Sequence, residues 1–149
     1  MNNQIAIIEN INNAFKTVKR PEKFHHSDGH CYDCFEAEEV LKDFTPETLD
    51  FETVGNLGFD PIFGISKDGF QYFIPGLVRI LSERKEDYLD QFLFQFDTEL
   101  IAEFSCEQKK VLLDFLYFIR DEMSESVKAI RTGTSELEQI INKLRVLNS

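Results

Sequence analysis

The sequence has no tryptophan, only three cysteines, and 16 Lys plus Arg to set against 27 Asp plus Glu. Each shortage removes a class of protein. Cys31, Cys34 and Cys106 are odd in number and cannot form the disulfide framework of a small secreted domain, so reduced thiols are expected. A formal net charge of -11 leaves no basic stripe to track a phosphate backbone. Nucleic acid is therefore not the expected ligand. Long apolar runs are absent as well. The longest, Val111 to Ile119, is interrupted by Asp114, whereas a bilayer span needs about twenty apolar residues. No basic cluster precedes the short apolar run at Ile5–Ile8, so no secretory leader and no membrane partner are expected. A cytoplasmic protein fits these exclusions. Gly-rich phosphate loops, His-Glu-x-x-His and the EF-hand ligand pattern are also missing. No catalytic residue is assigned, and the expectation is that the chain is not an enzyme.

What the sequence does contain is a helical pattern rich in phenylalanine, 15 in 149 residues. A chain of that length buries enough surface to hold a core without metal or disulfide. Ile5, Ile8, Ile11 and Phe15 recur at helical spacing and define a first amphipathic helix that ends before Pro21. Ala37, Val40, Leu41 and Phe44 share a face after the Cys pair. Thr45-Pro46 reads as an N-cap and first-turn proline opening a brief third helix. From Asp50 to Ile65 the periodicity lapses among Gly55, Gly58, Pro61 and Gly64. It resumes with Phe70, Phe73, Ile74, Leu77 and Leu81, where Pro75 is expected to kink or split the helix by removing the bond to the Gln71 carbonyl. Tyr88, Leu89, Phe92, Leu93 and Phe96 define the next. Ser105-x-x-Gln108 is a capping box. It opens a helix that eight apolar residues in nine predict to be central, with Asp114 as its buried acid and Arg79 or Arg120 as the partner. Ser135-x-x-Glu138 is expected to cap a last helix carrying Leu137, Ile140, Ile141, Leu144 and Leu147. The predicted fold is all-α: a single helical domain over 1–149, with about seven helices around a Phe-rich core.

The charge is concentrated. Between Asp28 and Asp60 there are ten acids and one base, Lys42, and the other 116 residues are nearly balanced with 17 acids and 15 bases. A single-sign patch speeds association with an oppositely charged protein and discriminates against wrong partners. Glu36, Glu39 and Asp43 fall at i, i+3 and i+7, the spacing of one helix face. Phe51, Phe59 and Phe63 on the adjoining stretch offer aromatic anchors, a charged rim around aromatics being common interface anatomy. The candidate contacts are Asp33, Glu36, Glu39, Asp43, Glu47, Asp50, Glu52, Phe59 and Asp60.

The segment from His25 to Cys34 holds all three histidines and two of the three cysteines. Cys-x-x-Cys is a standard zinc half-site. His30, Cys31 and Cys34 with His25 or His26 could complete four donors, so zinc is the alternative to a chain without cofactor. Cys34 also shares the apolar face with Ala37 and Leu41, the position of a small buried hydrophobe.

His30-Cys31-x-x-Cys34, Gly58-Phe59-Asp60-Pro61, Gly69-Phe70-Gln71-Tyr72-Phe73-Ile74-Pro75 and Tyr88-Leu89-Asp90-Gln91-Phe92-Leu93 occur in that order. Together they resemble a family of small bacterial proteins with a His-Cys-x-x-Cys segment and a Gly-Phe-x-Tyr-Phe-Leu-Pro motif, in which Ile74 replaces the usual Leu. That resemblance implies no activity. In size, acidity and helical content the chain is more loosely similar to immunity proteins of contact-dependent inhibition and other polymorphic toxin systems. The similarity implies a cytoplasmic protein that binds and occludes a basic toxin domain, typically a nuclease. The carboxylates from Asp33 to Asp60 would then stand in for phosphate.

Overall fold

The helical periodicity becomes eight helices: α1 (Asn3–Phe15), α2 (Tyr32–Leu41), α3 (Phe51–Val54), α4 (Lys67–Glu83), α5 (Lys85–Phe94), α6 (Thr98–Glu103), α7 (Cys106–Glu122) and α8 (Thr132–Leu147). The computed structural model describes residues 3–25, 32–56, 58–122 and 132–147, and among these there is no strand. The fold is all-α, and the described residues alone hold one helix more than the spacing suggested.

The centre is α4, packed between α1 and α5, while α7 lies between α1 and α8. Ten residues of α4 are buried. That burial explains why Pro75 neither splits nor ends the helix. The apolar face it anchors outweighs the roughly 3 kcal/mol that an interior proline removes from a helix. Ser66 starts α4, its hydroxyl accepting from the Gly69 N–H at 3.0 Å. Gly76 brings α4 against the chain at Pro46, so close that a Cβ there would lie 2.5 Å from the Pro46 carbonyl oxygen.

A continuous string of buried rings runs through the core. Phe115 meets Phe92, Phe92 meets Phe70 and Phe96, and Phe96 meets Phe104, which meets Phe15 edge-on at 5.8 Å. Most of these pairs are tilted or edge-to-face, the arrangement favoured by the ring quadrupoles.

The capping box forms as expected. The Gln108 side-chain oxygen accepts from the Ser105 N–H at 2.9 Å, and the Ser105 hydroxyl accepts from the Gln108 N–H at 3.1 Å. The Gln108 amide also donates to the Ala14 carbonyl at 3.2 Å and so fastens α7 to α1.

Other expectations are corrected. Asp114 is exposed, and Val111, Leu113, Tyr117 and Phe118 are only half-buried. Apolar residues all around α7 therefore do not make it the buried centre, because one side of it faces water. Neither expected arginine serves Asp114: Arg79 donates to backbone carbonyls and Arg120 pairs with Glu138. Ile5 is exposed, so the inward face of α1 is carried by Ile11, Ala14 and Phe15. Thr45-Pro46 opens a hydrogen-bonded turn instead of a helix. The third helix starts at Phe51, capped by Asp50, inside the stretch where periodicity lapses. The last helix begins at Thr132, ahead of Ser135.

Candidate partner-binding site

The acidic segment runs from α2 through a loop to α3, and two arginines from elsewhere in the chain hold the loop. Arg20 donates to the carbonyls of Lys42 at 2.8 Å and Phe44 at 2.7 Å, and its guanidinium lies over the rings of Phe24 and Tyr72. Arg79 donates to the carbonyls of Pro46 at 2.9 Å and Leu49 at 2.8 Å. Both guanidiniums thus bind the main chain, although carboxylates stand on the same loop.

The side chains of that segment divide by what they do. Glu36, Asp43, Glu47 and Glu52 are exposed, and none makes an ion pair among the described residues. Glu39 pairs with Lys42 at 2.7 Å, an exposed contact that raises the Lys42 pKa through its hydrogen bond and charge. Asp50 is committed to the cap of α3, accepting from the Thr53 N–H and hydroxyl. Asp33 lies in the first turn of α2, in a part whose side chains are outside the described ones. Because α2 ends at Leu41, Asp43 lies beyond the helix and does not continue the face of Glu36 and Glu39. Glu38, absent from the candidate contacts, has a structural role: its carboxylate accepts from the N–H groups of Phe24 and His25.

Beside this loop an open cleft of about 570 Å³ lies between α2, the turn at 58–64 and α5, within the range of roughly 300–1,000 Å³ usual for ligand sites. Its walls are Ala37, Phe59, Phe63 and Phe94, with Asp60 and Asp90 as its carboxylates. Among the described residues no basic side chain lines it. Phe63 and Phe94 are each 62% exposed and stack on one another, centroids 5.0 Å apart and planes 23° from parallel. Gly64 has a φ of +79°, in the left-handed region that favours glycine, and a Cβ there would meet nothing within 4 Å.

Asp60 is held from the protein side. One oxygen accepts from the Ile62 N–H at 2.9 Å, and the other from the Gln91 amide at 2.7 Å and, at a long 3.5 Å, the Tyr88 hydroxyl. Burial raises the Asp60 pKa, and the three hydrogen bonds oppose the rise only in part. Tyr88 is fully buried. Desolvation, reinforced by the Asp60 charge, pushes its phenol far above the ordinary range, so it stays a neutral donor. The Gln91 amide also donates to the Val54 carbonyl, and its own oxygen is buried with no hydrogen-bond partner among the described residues.

Of the aromatic anchors, Phe63 is the exposed one. Phe59 is half-buried in the cleft wall, and Phe51 is half-buried under the Arg84 guanidinium at 4.1 Å. Phe94 was not singled out by sequence. The available signal was negative: it is the one Phe of α5 off the face of Leu89, Phe92 and Leu93. His30 and Cys31, named as zinc donors, lie outside the described residues. Cys34 is disulfide-bonded and presents no thiolate, so the expected reduced state holds for Cys106 but not for Cys34. Among the described residues no group of three or more His, Cys, Asp or Glu side chains could hold a metal ion. No helix there is long and apolar enough to cross a membrane. The chain matches no family model, no curated protein and no solved structure.

Proposed function

We propose that the protein is an immunity-type inhibitor: an acidic cytoplasmic protein that docks on a basic toxin domain, most simply a nuclease, and covers its active site. The observation that carries this reading is the loop at 42–49. Two arginines hold its carbonyls, while Asp43 and Glu47 stand exposed and make no ion pair among the described residues. A loop already ordered before docking loses little entropy on binding. Carboxylates left unneutralised give it a local negative field that attracts a surface built for phosphate.

The test is association kinetics with the cognate basic toxin domain that this reading requires, across a range of salt concentrations. Glu36→Lys, Asp43→Lys and Glu47→Lys together change three exposed residues, none of which supports the fold. The triple variant is expected to lower the on-rate by about tenfold or more at low salt and to flatten its salt dependence. An unchanged on-rate refutes the electrostatic docking.

A further inference from the structure

We propose that the cleft between α2, the 58–64 turn and α5 is a thiol–disulfide exchange site. The disulfide at Cys34 would oxidise a dithiol carried by a polypeptide segment with an aromatic side chain. This activity goes beyond the docking function and does not rest on it.

Three observations converge on this chemistry. The first is the bond itself. Cys34 is disulfide-bonded, Cys106 is free, and the sequence holds one further cysteine, so the bond closes the Cys31-x-x-Cys34 pair. A bond across so short a loop removes the least entropy from the unfolded chain, and a chain of 149 residues holds its core without a staple. Stability is therefore a weak reason for it. The second is its place. Cys34 is half-buried and lines an open cleft of about 570 Å³; disulfides within reach of solvent are the ones that exchange, whereas buried structural ones resist reduction. The third is the rest of the wall. Phe59, Phe63 and Phe94 share the cleft with Cys34, and the last two, each 62% exposed, stack at 5.0 Å into a flat apolar surface. An aromatic side chain laid on that surface brings the residues next to it to the disulfide.

The exchange runs in two steps. A substrate thiolate attacks the Cys34 sulfur, a bond forms between the two, the bond to Cys31 breaks and Cys31 leaves as a thiolate. The second substrate thiolate then attacks the substrate sulfur of this mixed disulfide. The substrate closes its own disulfide, and Cys34 leaves as a thiolate. Two electrons have passed from the substrate dithiol to the protein disulfide. The two protons that the substrate thiols give to water are matched by two that Cys31 and Cys34 take from it.

The experiment uses the full chain in its oxidised form. Peptide mapping without reduction is expected to join Cys34 to Cys31. The probes are two blocked dithiol peptides, acetyl-Cys-Gly-Phe-Gly-Cys-amide and its Ser equivalent, each mixed with an equimolar amount of the chain, quenched in acid and resolved by chromatography. The Phe peptide should be oxidised about threefold to tenfold faster than the Ser peptide, the worth of one aromatic ring partly removed from water. Phe63→Ala, a change at an exposed ring, should remove most of that preference. Cys34→Ser should abolish the oxidation, with an unchanged far-ultraviolet circular dichroism spectrum showing that the helices are intact, and Cys106→Ser should leave both rates as they are. A single-thiol peptide, acetyl-Gly-Phe-Cys-amide, quenched in acid, should be found attached to Cys34. A Cys34–Cys106 linkage, a dithiol peptide left unoxidised, equal rates for the Phe and Ser peptides, attachment to Cys31 alone, or a Phe63→Ala variant with the parent's preference would each overturn the proposal. None of these results bears on salt-dependent association with a toxin domain, so the two readings fail separately.

Discussion

Replacing Gly76 by alanine sets local and tertiary reasoning against each other in sign. Within a helix, Ala is favoured over Gly by about 1 kcal/mol, so α4 considered alone should gain. In the fold, the new Cβ would lie 2.5 Å from the Pro46 oxygen, 3.1 Å from its Cα and 3.2 Å from its carbonyl carbon. All three are backbone atoms, so no side chain can swing aside, and the loop must retreat by close to an ångström. Overpacking of this kind costs about 1–3 kcal/mol. The retreat also draws the Pro46 carbonyl away from Arg79, which holds it at 2.9 Å. Losing that half-buried bond adds about 1 kcal/mol. The net expectation is a destabilisation of roughly 1–3 kcal/mol, since the helix gain offsets only the smaller of the two losses. For a chain of this size that lowers Tm by about 2–12 °C. Urea denaturation and a thermal scan measure it. A double-mutant cycle with Arg79→Met locates it, because Arg79→Met should cost less once the loop has moved. A Gly76→Ala variant as stable as the parent, or more stable, would refute the close approach of α4 to the loop.

Asp60 makes a prediction in pH. Its folded pKa lies above the ordinary 3.8 because burial disfavours the charged form. The folded state therefore holds a proton more readily than the unfolded one, and the stability associated with Asp60 falls as pH rises from 3.8 through the folded value. Asp60→Asn has no such dependence, so the variant should gain on the parent as pH rises above 3.8, read as the difference in urea midpoints. A parent that gains on the variant over that rise contradicts the sign. At the start of α7, Gln108→Ala removes both a cap and the side-chain hydrogen bond to the Ala14 carbonyl, whereas Ser105→Ala removes the cap alone. The first should cost about 2–4 kcal/mol and the second about 1 kcal/mol. Equal losses in chemical denaturation would remove the link between α1 and α7.

Features whose causes lie within a few residues could be read from the sequence. The Ser105–Gln108 box closes over three positions and forms as its spacing implies. The helical class follows from the spacing of Phe70, Phe73, Ile74, Leu77 and Leu81. Where the cause is distant, sequence reasoning went astray. Pro75 signals a break locally, but the burial of α4 between α1 and α5 decides otherwise. Asp114 looks buried among apolar neighbours, yet which side of α7 meets water depends on where α1 and α8 pack. The concentration of acids around residues 28–60 was plain in the composition. That Asp50 caps α3, Glu38 binds the main chain at Phe24 and Glu39 pairs with Lys42, leaving Glu36, Asp43, Glu47 and Glu52 exposed without ion pairs among the described residues, depends on partners that only the fold brings together. The cleft was half legible: Phe59, Phe63 and Asp60 stand close in sequence, whereas Phe94 reaches them only through the packing of α5.

The grip of Arg20 and Arg79 on carbonyl oxygens has a consequence for how this surface can change. Every residue has a carbonyl, so these bonds do not depend on which side chains stand at positions 43 and 47. Positions 43 and 47 can be substituted without touching the bonds that hold the loop in place. Display and architecture are thereby uncoupled at the two exposed carboxylates of the loop. A lineage could rewrite the charge shown there by single substitutions while the scaffold beneath stayed as it is.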